Sequence, residues 1–193
     1  SDEPALELGV ARRWAATQHL PTGTTRPRRR KPDGKINLGF VSADFHEHPV
    51  GRLIVGLFER LNRSRFRVFA YSPGKQKEDA TKARIRAAVD GFRVFPVIAA
   101  EEVADAMRAD GIDVAFDLTG YTGIMMGDIL ALRPAPVQVN FLGFTGTMGS
   151  EAFDWILTDQ YCVPPEAASY CAERPLYVDP CYLPSDAART LDA

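Results

Sequence analysis

Two of the chain's three histidines lie in one short stretch with two carboxylates: Asp44, His46, Glu47 and His48 come directly before Pro49. We call Asp44–Pro49 the histidine segment. Imidazole and carboxylate groups can exchange protons or donate hydrogen bonds near neutral pH. Proline favours the first turn of a helix, whose free N–H groups attract anions. The segment therefore predicts a site for a phosphate or an oxyanion, with a neutral imidazole as base or hydrogen-bond donor.

Two other interpretations of the histidine segment stay open. His48 can simply cap the following helix, with His46 exposed to solvent. Alternatively, the four polar side chains can form a metal site, since all are ligand types that zinc accepts. Pro49 argues against the metal site, because it keeps Asp44 and His48 from lying one turn apart on a continuous helix.

A second stretch, Leu142–Ser150, carries glycines at positions 143, 146 and 149, and we call it the glycine segment. Glycine permits close approach of the backbone to a ligand, although a flexible turn is the alternative. The spacing is not that of a dinucleotide-binding or nucleoside-triphosphate loop. A third stretch, Thr119–Gly123, places Tyr121 between two glycines, where its ring could stack on a sugar or pack on the core.

The elements that position these segments follow from apolar periodicity. Val50, Leu53, Ile54, Leu57, Phe58 and Leu61 match one face of a helix. Short apolar runs predict strands over residues 36–41, 67–71, 92–95, 114–118, 137–141 and 155–157. Helices are predicted over 5–19, from 49 to about 61, and over 79–90, 101–109 and 125–132.

This alternation predicts an α/β fold: a Rossmann-like, open, mostly parallel sheet of six or seven strands with helices on both faces. In such sheets, ligands bind at the carboxyl ends of the strands. That edge should hold the histidine segment, the glycine segment, Thr119–Gly123 and the turn Ser72–Lys75.

Composition and charge exclude several classes of function. The net charge is -2, so nothing favours nucleic acid or an anionic membrane as a partner. No apolar run approaches the ~20 residues that span a bilayer, and the acidic start is not a signal peptide. Cys162, Cys171 and Cys181 predict reduced, partly buried thiols in a cytoplasmic protein, with a Cys171–Cys181 bridge as the alternative.

Several motifs recur in a fixed order along residues 35–184: Gly39–Phe45, His48-Pro49, Gly120–Thr122, Ala131–Gln138, Leu142–Gly149, Asp154 and Thr158-Asp159. This set resembles the catalytic region of protein O-linked N-acetylglucosamine transferases, a family that includes bacterial homologues and the plant Spindly-type fucosyltransferases. The proline-punctuated stretch Leu132–Gln138 followed by the glycine segment is the most specific part of the resemblance.

The resemblance implies the N-terminal half of a GT-B glycosyltransferase. Such enzymes transfer a sugar from a uridine-diphosphate donor, with inversion, to serine or threonine of proteins. The donor is a co-substrate, and neither a cofactor nor a metal is expected. The implied partners are a second catalytic half, which holds most of the nucleotide, tetratricopeptide repeats of the same enzyme, and the acceptor protein. This chain alone is expected to be inactive.

The resemblance also suggests boundaries. Residues 1–20 match a helical segment that follows the repeats, 21–34 form a basic linker, 35–184 are the Rossmann-like half, and 185–193 begin the linker to the second half.

The resemblance assigns roles residue by residue. His48 matches the active-site histidine, with a base or a binding role, and Asp44 precedes it. Contacts to donor or substrate are implied for Pro49, Gly120, Tyr121, Leu142, Gly143, Phe144, Thr145, Gly146 and Thr147.

There are two departures from the family pattern: animal members have a further histidine near the position of Gly91, and Thr145 stands where many members have proline. Three rival functions remain open: an epimerase-like sugar-nucleotide enzyme, an α/β ligand-binding module with Asp44 as phosphoacceptor, and a non-catalytic interaction domain.

Overall fold

Seven parallel strands form one sheet in the computed structural model, which describes residues 3–18, 34–75, 77–122 and 126–188. In chain order they are β1 (Ile36–Val41), β2 (Phe66–Pro73), β3 (Gly91–Phe95), β4 (Val114–Asp117), β5 (Val137–Asn140), β6 (Trp155–Thr158) and β7 (Arg174–Tyr177). Every neighbouring pair is parallel. The predicted α/β class and strand number are confirmed.

Helices cover both faces of the sheet, as predicted. They are α1 (Pro4–Thr17), α2 (Pro49–Arg60), α3 (Ala80–Ala88), α4 (Ala100–Ala109) and α5 (Gly127–Ala131), and a 3₁₀ helix covers Pro165–Tyr170. Successive residues of a strand point to opposite faces. Accordingly, Phe40 packs in the core under α2, where its ring lies 4.8 Å from that of Phe58. Its neighbour Val41 packs in the other core, with Met107 of α4 and Ile129 of α5.

The strand order is β3-β2-β1-β4-β5-β6-β7. The chain therefore builds outward from β1 to β3 and then returns to the other side of β1 with β4. In an open parallel sheet, such a reversal leaves a crevice at the carboxyl ends of the two central strands. The histidine segment follows β1 and Thr119–Gly123 follows β4, so both begin at this crevice.

Two strands differ from the prediction. β2 runs on through Ser72 and Pro73, where a turn was expected, because β3 continues to pair with it as far as Phe95. The strand β7 was not predicted. It lies at the edge of the sheet and is mostly exposed, and Pro175 is tolerated there because proline lacks the N–H that an inner strand needs.

The first helix buries small side chains and leaves its large apolar ones exposed. Leu6, Val10 and Trp14 share one face, and they are 57%, 59% and 46% exposed. The buried side consists of Ala11 and Ala15. The backbone of Gly149 lies so close to Ala11 that a β-carbon at Gly149 would come within 2.4 Å of it. The predicted basic linker falls on residues that lie outside the described ranges, apart from residue 34.

The three cysteines are free, and the alternative bridge between Cys171 and Cys181 is absent. Cys162 and Cys181 are exposed rather than partly buried, so this part of the prediction was wrong. Among the described helices, none has the length and apolar character that crossing a membrane requires.

Candidate functional site

The histidine segment turns sharply between β1 and α2 and brings its polar side chains together. Backbone hydrogen bonds from His46 to Asp44 and from His48 to His46 fold the chain tightly. Carboxylate oxygens of Asp44 lie 3.9 Å from His46 Nε2 and 3.9 Å from His48 Nδ1. The compact turn needs Gly51, because a β-carbon there would lie 2.1 Å from the carbonyl oxygen of His46. The predicted pair His48 and Asp44 is thus adjacent, although His48 is extended and not helical.

His48 is the N-terminal cap of α2. Its Nδ1 accepts a hydrogen bond from the backbone N–H of Val50 at 3.3 Å. A neutral imidazole has one protonated nitrogen, so an accepting Nδ1 places the proton on Nε2. The cap therefore leaves Nε2–H as a hydrogen-bond donor on a half-buried side chain at the edge of the crevice. The capping and chemical interpretations of His48 are compatible, since they use different nitrogens.

Glu47 points away from the two histidines. Its carboxylate accepts hydrogen bonds from Arg52 and from the Thr81 hydroxyl, and both contacts lower its pKa, Thr81 more than Arg52. Its backbone N–H donates to Asp79 at 2.8 Å, which ties the segment to α3. Among the residues that the structure describes, no group of three or more histidine, cysteine, aspartate or glutamate side chains could hold a metal ion. The expectation that no metal is needed stays a prediction.

Asp117, the last residue of β4, supports the second loop of the crevice. Its side chain is fully buried, and Oδ1 accepts hydrogen bonds from the backbone N–H groups of Thr119 at 2.8 Å and Gly120 at 3.2 Å. Its Oδ2 has no hydrogen-bond partner within the described part of the chain. Burial raises the pKa of Asp117 to about 6, although the two backbone hydrogen bonds act to lower it.

Replacing Asp117 by asparagine is expected to stabilise the protein at pH 7 to 8. Folding raises this pKa from an ordinary 3.8, so the folded state binds more protons than the unfolded chain between about pH 4 and 6. Stability therefore falls as the pH rises through this window. Above pH 6, the ionised carboxylate lowers the free energy of unfolding by up to about 3 kcal/mol. Asparagine avoids this cost and keeps an acceptor for the N–H groups of Thr119 and Gly120.

Urea denaturation from pH 3.5 to 8 tests this expectation. The gain from Asp117→Asn should be largest above pH 6 and fall to a few tenths of a kcal/mol at pH 3.5, where the carboxyl is mostly protonated in both the folded and the unfolded state. Asp128→Asn, which removes an exposed carboxylate of α5, controls for the loss of one charge. A gain of equal size at every pH would contradict the proposed cost of ionisation.

The glycine segment begins beside this loop, at the end of β5. Asn140 donates from its side-chain amide to the carbonyl oxygens of Phe144 at 3.4 Å and Gly146 at 3.0 Å. A β-carbon on Gly143 would lie 2.2 Å from the carbonyl oxygen of Leu118, so only glycine allows the two loops to touch. Leu142 has a φ of 76°, a strained conformation for leucine and one often found at functional sites.

Tyr121 packs on the core and on the glycine segment. Its ring lies 5.3 Å from that of Phe144 in an edge-on arrangement, and its hydroxyl donates to the carbonyl oxygen of Met148 at 2.5 Å. Burial raises the pKa of Tyr121 to about 12, so it is no proton acceptor near neutral pH. Of the two roles predicted for this ring, the structure favours packing on the core.

A groove of about 590 Å³ lies between α1 and residues 144–147 of the glycine segment. The exposed face of α1, with Leu6, Val10 and Trp14, forms one wall. The other wall contains Tyr121 and part of the glycine segment, including the exposed Thr145. The helix that sequence analysis treated as a separate joining segment thus borders the predicted site.

Three of the four predicted segments meet at the crevice. Ser42 and Thr119 link the ends of β1 and β4 through their hydroxyls at 3.5 Å, and Gly143 adds the end of β5. The fourth predicted stretch, Ser72–Lys75, covers the end of β2 and lies one strand farther from the reversal. Gly91 is the first residue of β3 and lies at the amino ends of the strands, whereas the crevice lies at their carboxyl ends. A histidine missing there therefore removes no group from the crevice.

The sequence did not single out Asp117, Asn140 or Glu173, the residues whose side chains hold these loops. Glu173, directly before β7, is buried and binds Thr147 and Met148 of the glycine segment. It lies in Ala172-Glu173-Arg174, a polar context typical of a solvated turn, and no local signal distinguishes it.

Known proteins similar to this chain agree on one family. The model of glycosyl transferase family 41 matches residues 15–192. The probable UDP-N-acetylglucosamine–peptide N-acetylglucosaminyltransferase SEC of Arabidopsis thaliana is 28% identical over 95% of this chain and 20% of its own length. The UDP-N-acetylglucosamine–peptide N-acetylglucosaminyltransferase of Caenorhabditis elegans is 30% identical over 81% of this chain and 14% of its own length.

A solved structure gives the same result for the fold. An O-GlcNAc transferase variant from Thermobaculum terrenum superposes with a TM-score of 0.85 at 31% identity, over 94% of this chain and 35% of that one. The chain thus spans only a fifth of the Arabidopsis relative and about a third of the bacterial structure.

Proposed function

The chain belongs to glycosyl transferase family 41, and on that premise we propose that it is part of an enzyme that glycosylates proteins. The reaction is inverting transfer of a sugar, N-acetylglucosamine in the first instance, from a uridine-diphosphate donor to serine or threonine. The observation that carries the proposal is the meeting of the histidine segment, Gly120 and the glycine segment at the strand-order reversal of a family member's sheet.

The chemistry of the crevice supports this reaction. Sugar transfer needs groups that hold the sugar hydroxyls and stabilise the charge that develops on the diphosphate leaving group. The glycine segment borders the groove, with Thr145 exposed, and its glycines allow close approach of a ligand to the backbone. His48 supplies Nε2–H beside the N-terminus of α2, whose dipole favours negative charge.

The geometry favours His48 as a hydrogen-bond donor over His48 as the general base. A base must have an unprotonated nitrogen facing the acceptor hydroxyl. Nδ1 is engaged by Val50 N–H, and Nε2 then carries the proton. Asp44 lies 3.9 Å from Nδ1, beyond hydrogen-bonding distance, and so places a negative charge near the ring without binding that nitrogen. Pro49 is the first residue of the helix that His48 caps.

The remaining partners belong to the same proposal. A second catalytic half would complete the crevice and hold the nucleotide, and tetratricopeptide repeats would precede α1. This chain covers only a small part of its relatives' length, which supports both additional regions. The exposed apolar face of α1 supports a packed neighbour on that side. The UDP-sugar acts as co-substrate without a metal, and the enzyme works in the cytoplasm.

A transfer assay with the full-length enzyme tests the proposal. The enzyme is incubated with UDP-N-acetylglucosamine and a protein acceptor, and intact-mass analysis of the acceptor is combined with measurement of released UDP. Sugar on the acceptor with matching UDP release is the expected result. A nucleotide-linked fucose as competing donor tests the choice of sugar. Conversion of the UDP-sugar to a different UDP-sugar, without modification of the protein, would favour the epimerase alternative. Binding of the donor without turnover would favour a non-catalytic role.

A further inference from the structure

Glu173 is a buried carboxylate that holds the far end of the glycine segment. It is 2% exposed. Its Oε1 accepts a hydrogen bond from the backbone N–H of Met148 at 2.6 Å, and its Oε2 accepts one from the hydroxyl of Thr147 at 2.7 Å. One side chain from the edge of the sheet thus binds two successive residues of a loop that borders the candidate site.

Both hydrogen bonds require an acceptor on Glu173. Thr147 Oγ1 already accepts from the backbone N–H groups of Ala172 at 3.0 Å and Gly149 at 3.1 Å, so its hydroxyl can only donate. The N–H of Met148 can also only donate. An ionised carboxylate satisfies both donors. A glutamine amide offers one oxygen and one NH₂ group, so one donor would face another donor.

The placement of this carboxylate is costly, which indicates that the contact serves the loop. Burial raises the pKa of Glu173, and the hydrogen bonds from Thr147 and Met148 act against this rise. A buried charge destabilises the fold unless hydrogen bonds compensate for it. Here the compensation comes mainly from the glycine segment itself.

Met148 is held from both sides. Its N–H donates to Glu173, and its carbonyl oxygen accepts from Tyr121. Tyr121 in turn contacts Phe144, within the glycine segment. The conformation of Leu142–Thr147 therefore depends on an anchor at each end: Asn140 at the start and the Glu173–Met148–Tyr121 contacts at the end.

We propose that Glu173 is a positioning residue that holds the glycine segment in the conformation in which its backbone binds the donor sugar. This inference rests on the proposed function, since it presupposes a UDP-sugar in the crevice. Glu173 does not touch the sugar. It acts through Thr147 and Met148, and so it should affect recognition of the sugar and not of the nucleotide.

The test compares the full-length wild-type enzyme with Glu173→Gln. The expected result is a KM for the UDP-sugar about tenfold or more above wild type, because misplacing a binding loop by about 1 Å can cost up to about a hundredfold. Inhibition by UDP alone should stay within about twofold of wild type, because UDP lacks the sugar. Glu166→Gln, the same change at an exposed position of the 3₁₀ helix, should leave both values unchanged.

Other outcomes overturn the inference. Equal losses of UDP and UDP-sugar binding, with a lowered melting temperature, would mean that Glu173 only supports the fold. An unchanged KM would mean that the loop does not depend on it. Should Glu173→Gln fail to fold, Thr147→Val breaks the same contact from the other side and must show the same split. A wild-type enzyme without transfer activity would contradict the proposed function instead, which separates the two failures.

Discussion

Replacement of His48 by alanine in the full-length enzyme is expected to lower the rate of sugar transfer by at least about a hundredfold, the lower end of what a positioned proton donor or acceptor contributes. The variant loses Nε2–H at the crevice and the cap of α2 together. Loss of the cap alone costs about 1 kcal/mol, so the melting temperature should fall only modestly. Initial rates of transfer and thermal melting, measured on the same preparations, check both expectations.

His48→Asn separates the two roles of this residue. Asparagine is a good helix cap, since its side-chain oxygen can accept the hydrogen bond from the Val50 N–H, but it has no group in the position of Nε2. Its melting temperature should match the wild type while its transfer rate stays close to that of His48→Ala. Wild-type turnover in either variant, with normal melting, would remove His48 from the mechanism.

The proposed role as donor predicts a further distinction. A general base acts on the attacking hydroxyl, whereas a hydrogen-bond donor to the leaving group acts on the departing UDP. With a sugar donor whose leaving group is less basic than UDP, the loss of rate in both His48 variants should therefore shrink. A loss of unchanged size would favour the base role.

The sequence alone was sufficient to predict the elements with a regular apolar pattern. The strand β1 and the helix α2 were predicted correctly because burial against one sheet imposes a period that local residues must follow. The rule that ligands bind at the carboxyl ends of parallel strands then selected four loops, among them the histidine segment and the loop at Gly120. These inferences need only short-range information, and the structure confirms that the two loops meet.

The features that could not be predicted from the sequence depend on contacts between residues far apart in the chain. The edge strand β7 has one exposed side and therefore no apolar run. Glu173 acts on residues 25 and 26 positions earlier in the chain, and a polar pair of this kind leaves no period. On α1, the sequence does not indicate which face packs on the rest of the chain. Close packing against Gly149 accepts only small side chains, so Ala11 and Ala15 are buried while the large apolar residues are exposed.

Arg133 is a further example of a contact that the sequence did not reveal. Its motif was recognised in the sequence, but its buried ion pair was not. It lies in the proline-punctuated stretch and has a φ of 48°. Its guanidinium pairs with Asp154 through two hydrogen bonds of 3.1 and 3.2 Å, and the side chains are only 4% and 5% exposed. Arg133 also donates to the carbonyl oxygen of Ala152 at 2.8 Å. Asp154 in addition accepts from the backbone N–H of Gln138 at 2.9 Å.

Arg133→Met is therefore expected to destabilise the protein by about 3–5 kcal/mol, the usual cost of leaving one member of a buried ion pair without its partner. The pair joins the end of α5 and the start of β5 to the residues that follow the glycine segment. Loss of the pair should therefore also loosen that segment. Urea denaturation at pH 7 measures the change. Arg86→Met, which breaks an exposed contact with Glu78, should leave the denaturation midpoint nearly unchanged.

The double variant Arg133→Met, Asp154→Asn identifies the source of this cost. Asparagine keeps an acceptor for the Gln138 N–H and removes the stranded charge. If the unpaired carboxylate causes most of the destabilisation, the double variant should be more stable than Arg133→Met alone, because replacing both charges of a buried pair is often nearly neutral. If the double variant is as unstable as the single one, then the hydrogen bond to Ala152 and the packing of the arginine side chain, and not the charge pair, hold this end of the glycine segment in place.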